Sequence, residues 1–325
     1  MFRTEINHFE TKFSINLHDP ILSMGSCFAN DIGHYLKAHK FQTRIDPAGL
    51  LFNPLSLFEV LDLAVEMKEY PAGSFLKSQS RHLNYKLHSE INAGSETEMK
   101  AKTEATSQIA REALKQSKLI IFTFGTAWVY RLKADGLLVA NCHKVPQKEF
   151  TKSMLRVDEI TNAFAALKAK IEAIQPDIKF LLTVSPVRHI KDSIPLNSVS
   201  KSVLRLACHE LTQQYDTVSY FPSYEIMLDD LRDYRFYKKD MLHPNEQAVA
   251  YIWDTFCQRL LDADTRAFVS TWSKIISAMA HKPFHPASAE HQRFLRATLE
   301  KIENLAGQVD VSEEVAFFRA QLTQA

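Results

Sequence analysis

Apolar residues in this chain gather into short unbroken runs, and longer amphipathic stretches separate them. The runs are PILSMG (20–25), KLIIFTFG (118–125), KFLLTVSPV (179–187) and TVSYFPSY (217–224), with FQTRID (41–46) a weaker one. Runs without polar alternation suit strands covered on both faces, as in a parallel sheet. Helical patterns lie between them: Cys27–His39, Pro54–Met67 after the cap residue Asn53, Glu96–Ser117, Asp158–Ile174, Ser200–Tyr215 and Glu246–Leu261. Strand and helix in alternation predict an α/β fold, a doubly wound parallel sheet of about five strands in three α/β/α layers.

Two segments interrupt that alternation. Residues 74–95 read as a hairpin or lid, and VYRLKADGLLVANC within 128–150 reads as a β-hairpin turning at ADG. From Thr265 onward the pattern is helical, with Pro283 and Pro286 dividing the first two helices. The expected organisation is a main α/β unit over residues 1–264, carrying the inserted segments 74–95 and 128–150, and a C-terminal α-helical appendage over 265–325. The apolar stripe Phe268, Trp272, Ile275 and Ile276 reads first as a face packed on the core and second as a homodimer interface.

Composition narrows the function. Of 325 residues, 46% are hydrophobic and 24% charged, which is ordinary for a water-soluble globular chain. The formal net charge of +1 argues against duplex DNA or an anionic membrane as a bulk electrostatic partner. No apolar run of signal-peptide or membrane-span length is evident, so a cytoplasmic location is expected. Cys27, Cys142, Cys208 and Cys257 are widely spaced and read as free thiols, with no zinc cluster. Neither GxGxxG nor GxxxxGK[ST] occurs, so no nucleotide cofactor, and no other cofactor or metal, is expected.

In an open parallel sheet, function gathers at the carboxyl ends of the strands. Ser26 and Cys27 end the first run, Gly125 and Thr126 the middle one, and Ser185, Arg188 and His189 the next. Asp240 and His243 follow the last run, just before a helix that Asn245 would cap. In Asp-x-x-His the carboxylate can reach the imidazole within one turn and fix its tautomer, leaving the other nitrogen to take a proton from a hydroxyl. Ser26 would supply that hydroxyl, at a corner where a helix N-terminus favours developing negative charge. Each residue also has a plainer reading. Ser26 could be a helix cap and Asp240–His243 a surface turn. Cys27 could be the nucleophile, though a cysteine there more simply packs on the sheet. Arg188 and His189 could hold a substrate carboxylate or phosphate, or form a salt-bridged loop. Asn53 could be a cap alone. Cys142 and His143 could ligate a metal, but nothing nearby completes a set.

GSCFA (25–29), TFGTAWVY (123–130), CHK (142–144), SPVRH (185–189) and YFPSYEI…DYRFY…DMLHPN (220–245) together resemble the GSCFA family, over roughly residues 15–265. That family is similar to the SGNH/GDSL hydrolases, whose sheet is a flavodoxin-like three-layer α/β/α arrangement. The resemblance implies Ser26 as nucleophile, His243 as base and Asp240 as its orienter. It also implies an oxyanion hole built from the N–H of Ser26, the N–H of Gly49 and an asparagine side chain after the third strand. Here Gly125-Thr126-Ala127-Trp128 stands where GxND is expected, so Thr126, Asn53 or His143 would have to replace the asparagine. The implied activity is hydrolysis of an ester, with removal of an acyl group (O-acetyl among the candidates) from a small molecule or glycan. An O-acyltransferase with the same three residues, or a non-catalytic glycan- or acyl-binding protein on the same fold, is the alternative.

Overall fold

The structure is a computed structural model that describes residues 3–6 and 9–322. Its strands are β1 (Ile21–Gly25), β2 (Thr43–Ile45), β3 (Phe75–Ser78), β4 (Arg81–Asn84), β5 (Leu119–Phe124), β6 (Trp128–Leu132), β7 (Leu138–Val139), β8 (Phe150–Met154), β9 (Lys179–Val184) and β10 (Val218–Tyr220). The main helices are α1 (Cys27–Ala38), α2 (Pro54–Glu66), α3 (Glu96–Gln116), α4 (Val157–Ile174) and α5 (Ile194–Gln214), then a single turn α6 (Ser223–Glu225). After these come α7 (Glu246–Leu260), α8 (Ala263–Ala280), α9 (Ala289–Glu303) and α10 (Ser312–Arg319).

Five strands form one sheet in the order β10-β9-β5-β1-β2, every neighbouring pair parallel. The unbroken apolar runs are explained by two cores, one on each face. Leu22, Met24, Ile120, Phe122, Phe124, Phe180 and Leu182 point into the core shared with α2–α5. Ile21, Leu119, Ile121 and Leu181 point the other way, against α1 and α7. Successive side chains of a strand alternate faces, so both sets must be apolar when both faces are covered. The chain leaves β1 toward β2 on one side and later returns to β5 on the other. The strand order therefore reverses between β1 and β5, and a crevice opens at their carboxyl ends.

Three boundaries differ from the sequence pattern. Helix α5 begins at Ile194 rather than Ser200, because Ser193 accepts from the Leu196 N–H and proline lies in the first turn. Exposed Ile194, Leu196 and Val199 blur the apolar face there. The run at 217–224 is strand only to Tyr220, since Pro222 precedes the helical turn α6. The 128–150 hairpin gains a third strand, giving the order β7-β6-β8.

The two inserted segments pack on each other. Ala140 and Asn141 N–H groups donate to the Tyr85 carbonyl, and the buried Lys86 ammonium reaches Glu59 at 2.6 Å and the Leu138 carbonyl at 2.8 Å. Helices α8–α10 share the core of α1 and α7. Phe268, Trp272 and Ile275 are buried in it, and the Trp272 indole donates to the Ala38 carbonyl at 2.9 Å. The C-terminal stripe is thus a packing face. Among the described residues no helix is long and apolar enough to cross a membrane.

Candidate active site

Strand β1 ends in a corner that requires glycine. Gly25 has φ +147°, and a Cβ there would collide with the Thr123 carbonyl of neighbouring β5. Its N–H donates to Asp46 Oδ1 at 2.8 Å. Ser26 follows in the N-cap position of α1, yet its side chain caps nothing. Its Oγ is buried and has no hydrogen-bond partner among the described residues. A cap serine would bond a first-turn N–H, so capping is not what this hydroxyl does. The first-turn N–H groups of Cys27 and Phe28 donate to no protein oxygen among the described residues, leaving the positive end of α1 beside the hydroxyl. Burial pushes the Cys27 thiol upward, so it is not a ready thiolate.

The Asp240–His243 pair is made as the spacing predicts. Asp240 Oδ2 meets His243 Nδ1 at 2.7 Å. Asp240 Oδ1 accepts from the N–H groups of Leu242 (2.9 Å) and His243 (3.0 Å). These bonds, those from the His243 N–H first, hold the carboxyl at about 2. The loop is locked at both ends: Lys238 N–H donates to the His243 carbonyl at 2.7 Å, and Asn245 caps α7 through the Ala248 N–H. With Nδ1 on the carboxylate, Nε2 is the edge left to exchange a proton. It is not hydrogen-bonded to Ser26 in this state; such bonds often tighten only when substrate binds. His243 lies close enough for its charge to bear on both His189 and Asp31 of α1.

The expected oxyanion donors are arranged differently. The Ser26 N–H donates to the Thr123 carbonyl at 3.1 Å, and the Gly49 N–H to the Asp46 carbonyl at 2.8 Å. The Gly125 and Thr126 N–H groups both donate to the Phe52 carbonyl. Thr126 Oγ1 is engaged by Ser200 Oγ and the Trp128 N–H, and so holds its own loop. Asn53 Oδ1 accepts from the Ser56 N–H and its amide donates to Ser56 Oγ, which is a helix cap. His143 sits in the inserted segments, Nε2 on the Asn84 carbonyl and Nδ1 on Ser89 Oγ, and burial holds it neutral. Each of the three proposed substitutes is thus tied into its own local structure. We expect Asn53→Asp to keep the cap and Asn53→Ala to cost about 1 kcal/mol of stability, read by urea melts. Neither should alter Ser26 reactivity more than a few-fold by the same cap-only argument; a hundredfold loss in Asn53→Asp would restore the donor role.

Arg188 packs against the His243 loop. Its N–H reaches the Leu242 carbonyl at 3.3 Å in the His243 loop. Its guanidinium lies over Tyr237 (4.4 Å) and Tyr234 (5.5 Å), with no carboxylate on it among the described residues. That leaves its charge available to an anionic group. Near the corner, Lys201 and Asp46 carry no sequence signal of their own, and His189 is marked in the sequence only as the polar neighbour of Arg188. Lys201 is 1% exposed, and its ammonium donates to the Gly125 (2.7 Å) and Ser185 (2.6 Å) carbonyls, tying together the ends of β5 and β9.

Comparison with known proteins gives two matches. Residues 20–256 match the GSCFA family, and residues 272–324 match the GSCFA domain protein, C-terminal domain. No curated protein matches the chain.

Proposed function

The chain belongs to the GSCFA family, and on that premise we propose that it is a serine hydrolase that removes a small acyl group from an ester through Ser26, His243 and Asp240. The observation that carries this reading is the idle, buried Ser26 hydroxyl at the N-terminus of α1, together with a carboxylate-oriented imidazole whose charge bears on Asp31 of the same helix. The SGNH/GDSL resemblance supports the same assignment. Ser26 Oγ attacks the carbonyl carbon and its proton passes to His243 Nε2. The tetrahedral adduct collapses, the ester C–O bond breaks, and His243 returns the proton to the departing alcohol oxygen. Water then releases the acid by the same steps. If an alcohol takes the place of water, the product is a new ester and the protein is an acyltransferase.

Ser26 is 1% exposed, which favours a slender acyl group such as acetyl over a long chain. The Arg188 guanidinium, held over the rings of Tyr234 and Tyr237 and tied through its N–H to the His243 loop, suits a polar, glycan-like leaving group. One observation favours the second reading, a non-catalytic binder on this fold: the Ser26 and Gly49 N–H groups are both already bonded to carbonyls. A fluorophosphonate probe separates the two. Ser26 Oγ displaces fluoride from phosphorus, and peptide mapping should place the adduct on Ser26, with no adduct in Ser26→Ala. A folded protein left unlabelled by a probe that labels a control hydrolase would support the binder.

A further inference from the structure

Across Gly125 from Ser26 stands His189, a side chain that the resemblance does not name as an oxyanion donor. Gly125, which ends the β5 segment, has no side chain, and a Cβ there would lie 3.2 Å from Ser26 Cβ, 3.2 Å from His189 Nε2 and 3.1 Å from the Phe52 carbonyl. Ser26 and His189 therefore meet across the bare face of Gly125. His189 Nε2 is buried and has no hydrogen-bond partner among the described residues, as is true of Ser26 Oγ. The rest of the residue is fixed. Its N–H donates to Asn197 Oδ1 at 2.9 Å, and its ring meets Phe52 edge-on at 5.6 Å. A buried polar nitrogen without a partner is destabilising, so one that is held in place beside a reactive hydroxyl calls for a ligand.

We propose that His189 is a catalytic residue whose Nε2–H donates to the developing oxyanion, in the role left open by the missing asparagine. The inference rests on Ser26 being the nucleophile. The role needs a ring that stays neutral. Burial, then the Lys201 ammonium, then His243 lower the His189 pKa to about 4. A neutral imidazole can polarise a carbonyl without taking a proton from the nucleophile. That divides the labour: His243, backed by Asp240, moves the proton, and His189 receives the charge. Lys201 acts as a positioning residue, because its bonds to the Gly125 and Ser185 carbonyls hold the two strand ends that present Gly125 and the His189 loop.

The test is the rate of Ser26 phosphonylation by a fluorophosphonate, whose phosphoryl oxygen occupies the oxyanion position. Two variants divide the ring's shape from its donor. His189→Phe keeps a ring against Phe52 and loses the N–H; His189→Gln keeps an N–H at a similar reach and loses the ring. We expect His189→Phe to slow the maximal labelling step by about 100–1000-fold with probe affinity little changed, and His189→Gln to recover most of that loss. Labelling at the wild-type rate in His189→Phe overturns the inference and leaves the serine mechanism standing. Equal slowing in both variants also overturns it, since the ring and not the donor would then matter. Absence of labelling in the wild type removes the serine reading and this one together. A measurement on the unmutated protein stands apart from any folding defect: in the nitrogen NMR spectrum, the His189 Nε2–H should become hydrogen-bonded and exchange-protected in the Ser26 adduct. An unchanged signal overturns the proposal.

Discussion

Asp240→Asn is expected to slow labelling of Ser26 by about 10³–10⁴-fold while leaving the fold intact. Asparagine keeps an oxygen for the Leu242 and His243 N–H groups, which now bond to Asp240 Oδ1, so the loop should hold its shape. What changes is the second atom. In place of Oδ2, which accepts from His243 Nδ1 at 2.7 Å, an amide would donate to that nitrogen. His243 would then carry its proton on Nε2, where it cannot accept one from Ser26. The backbone bonds that hold Asp240 at about 2 also keep it ionised throughout the range in which the protein would be assayed. Any acidic limb of the rate profile therefore does not belong to Asp240. The measurement is the labelling rate at one fixed probe concentration, together with the melting temperature. A loss smaller than tenfold with an unchanged melt would mean that the pair is a surface turn, the plainer reading of Asp-x-x-His.

The parts of this molecule that were legible in the sequence are those set by local pattern. Ile120, Phe122 and Phe124 face one core while Leu119 and Ile121 face the other, so the run had to be apolar throughout and announced a doubly covered strand. Asp240 and His243 are readable because both ends of the pair lie in one short loop. Asn53 before Pro54 is readable as a cap, and capping is what its side chain does. The donor set was not legible, because a backbone N–H is free or occupied according to what tertiary packing brings near it. The Phe52 carbonyl takes two N–H groups from the loop after β5, and the Asp46 carbonyl takes that of Gly49. His143 is drawn to the Asn84 carbonyl by a contact between two insertions whose mutual packing has no sequence signature. His189 is visible only as one of several polar residues after SPV. The bare Gly125 face that brings it to Ser26 is a three-dimensional fact. Lys201 and Asp46 break the rule that charge lies outside, and no pattern marks such exceptions.

Asp46→Asn is expected to raise stability, by about 3–5 kcal/mol above pH 8 and by little below pH 4. Asp46 Oδ1 accepts the Gly25 N–H, but Oδ2 is buried without a partner among the described residues. Burial raises the carboxyl from its ordinary value of 3.8 to about 8, outweighing the Gly25 bond that lowers it. Between those two values the native chain holds a proton that the unfolded chain has released. Stability therefore falls as pH rises through that window, and Asp46 adds no further slope above it. Asparagine has no proton to hold. Its oxygen can still receive the Gly25 N–H, and it tolerates the left-handed backbone at this position, φ +38°. The corner that presents Ser26 should thus survive while the buried charge is removed. Lys201 acts in the opposite direction. Burial lowers it from 10.5 to about 7, so its contribution rises with pH between those values, but it does so in both proteins and cancels in the difference. Urea unfolding of the two proteins at pH 4.5, 6 and 8 reads that difference directly. A gap that stays constant across the three would show that the Asp46 carboxyl titrates normally, with water reaching Oδ2. A gap that widens toward pH 8 would show that a destabilising carboxyl is built in beneath the corner, bonded to the N–H of the glycine that precedes the reactive serine.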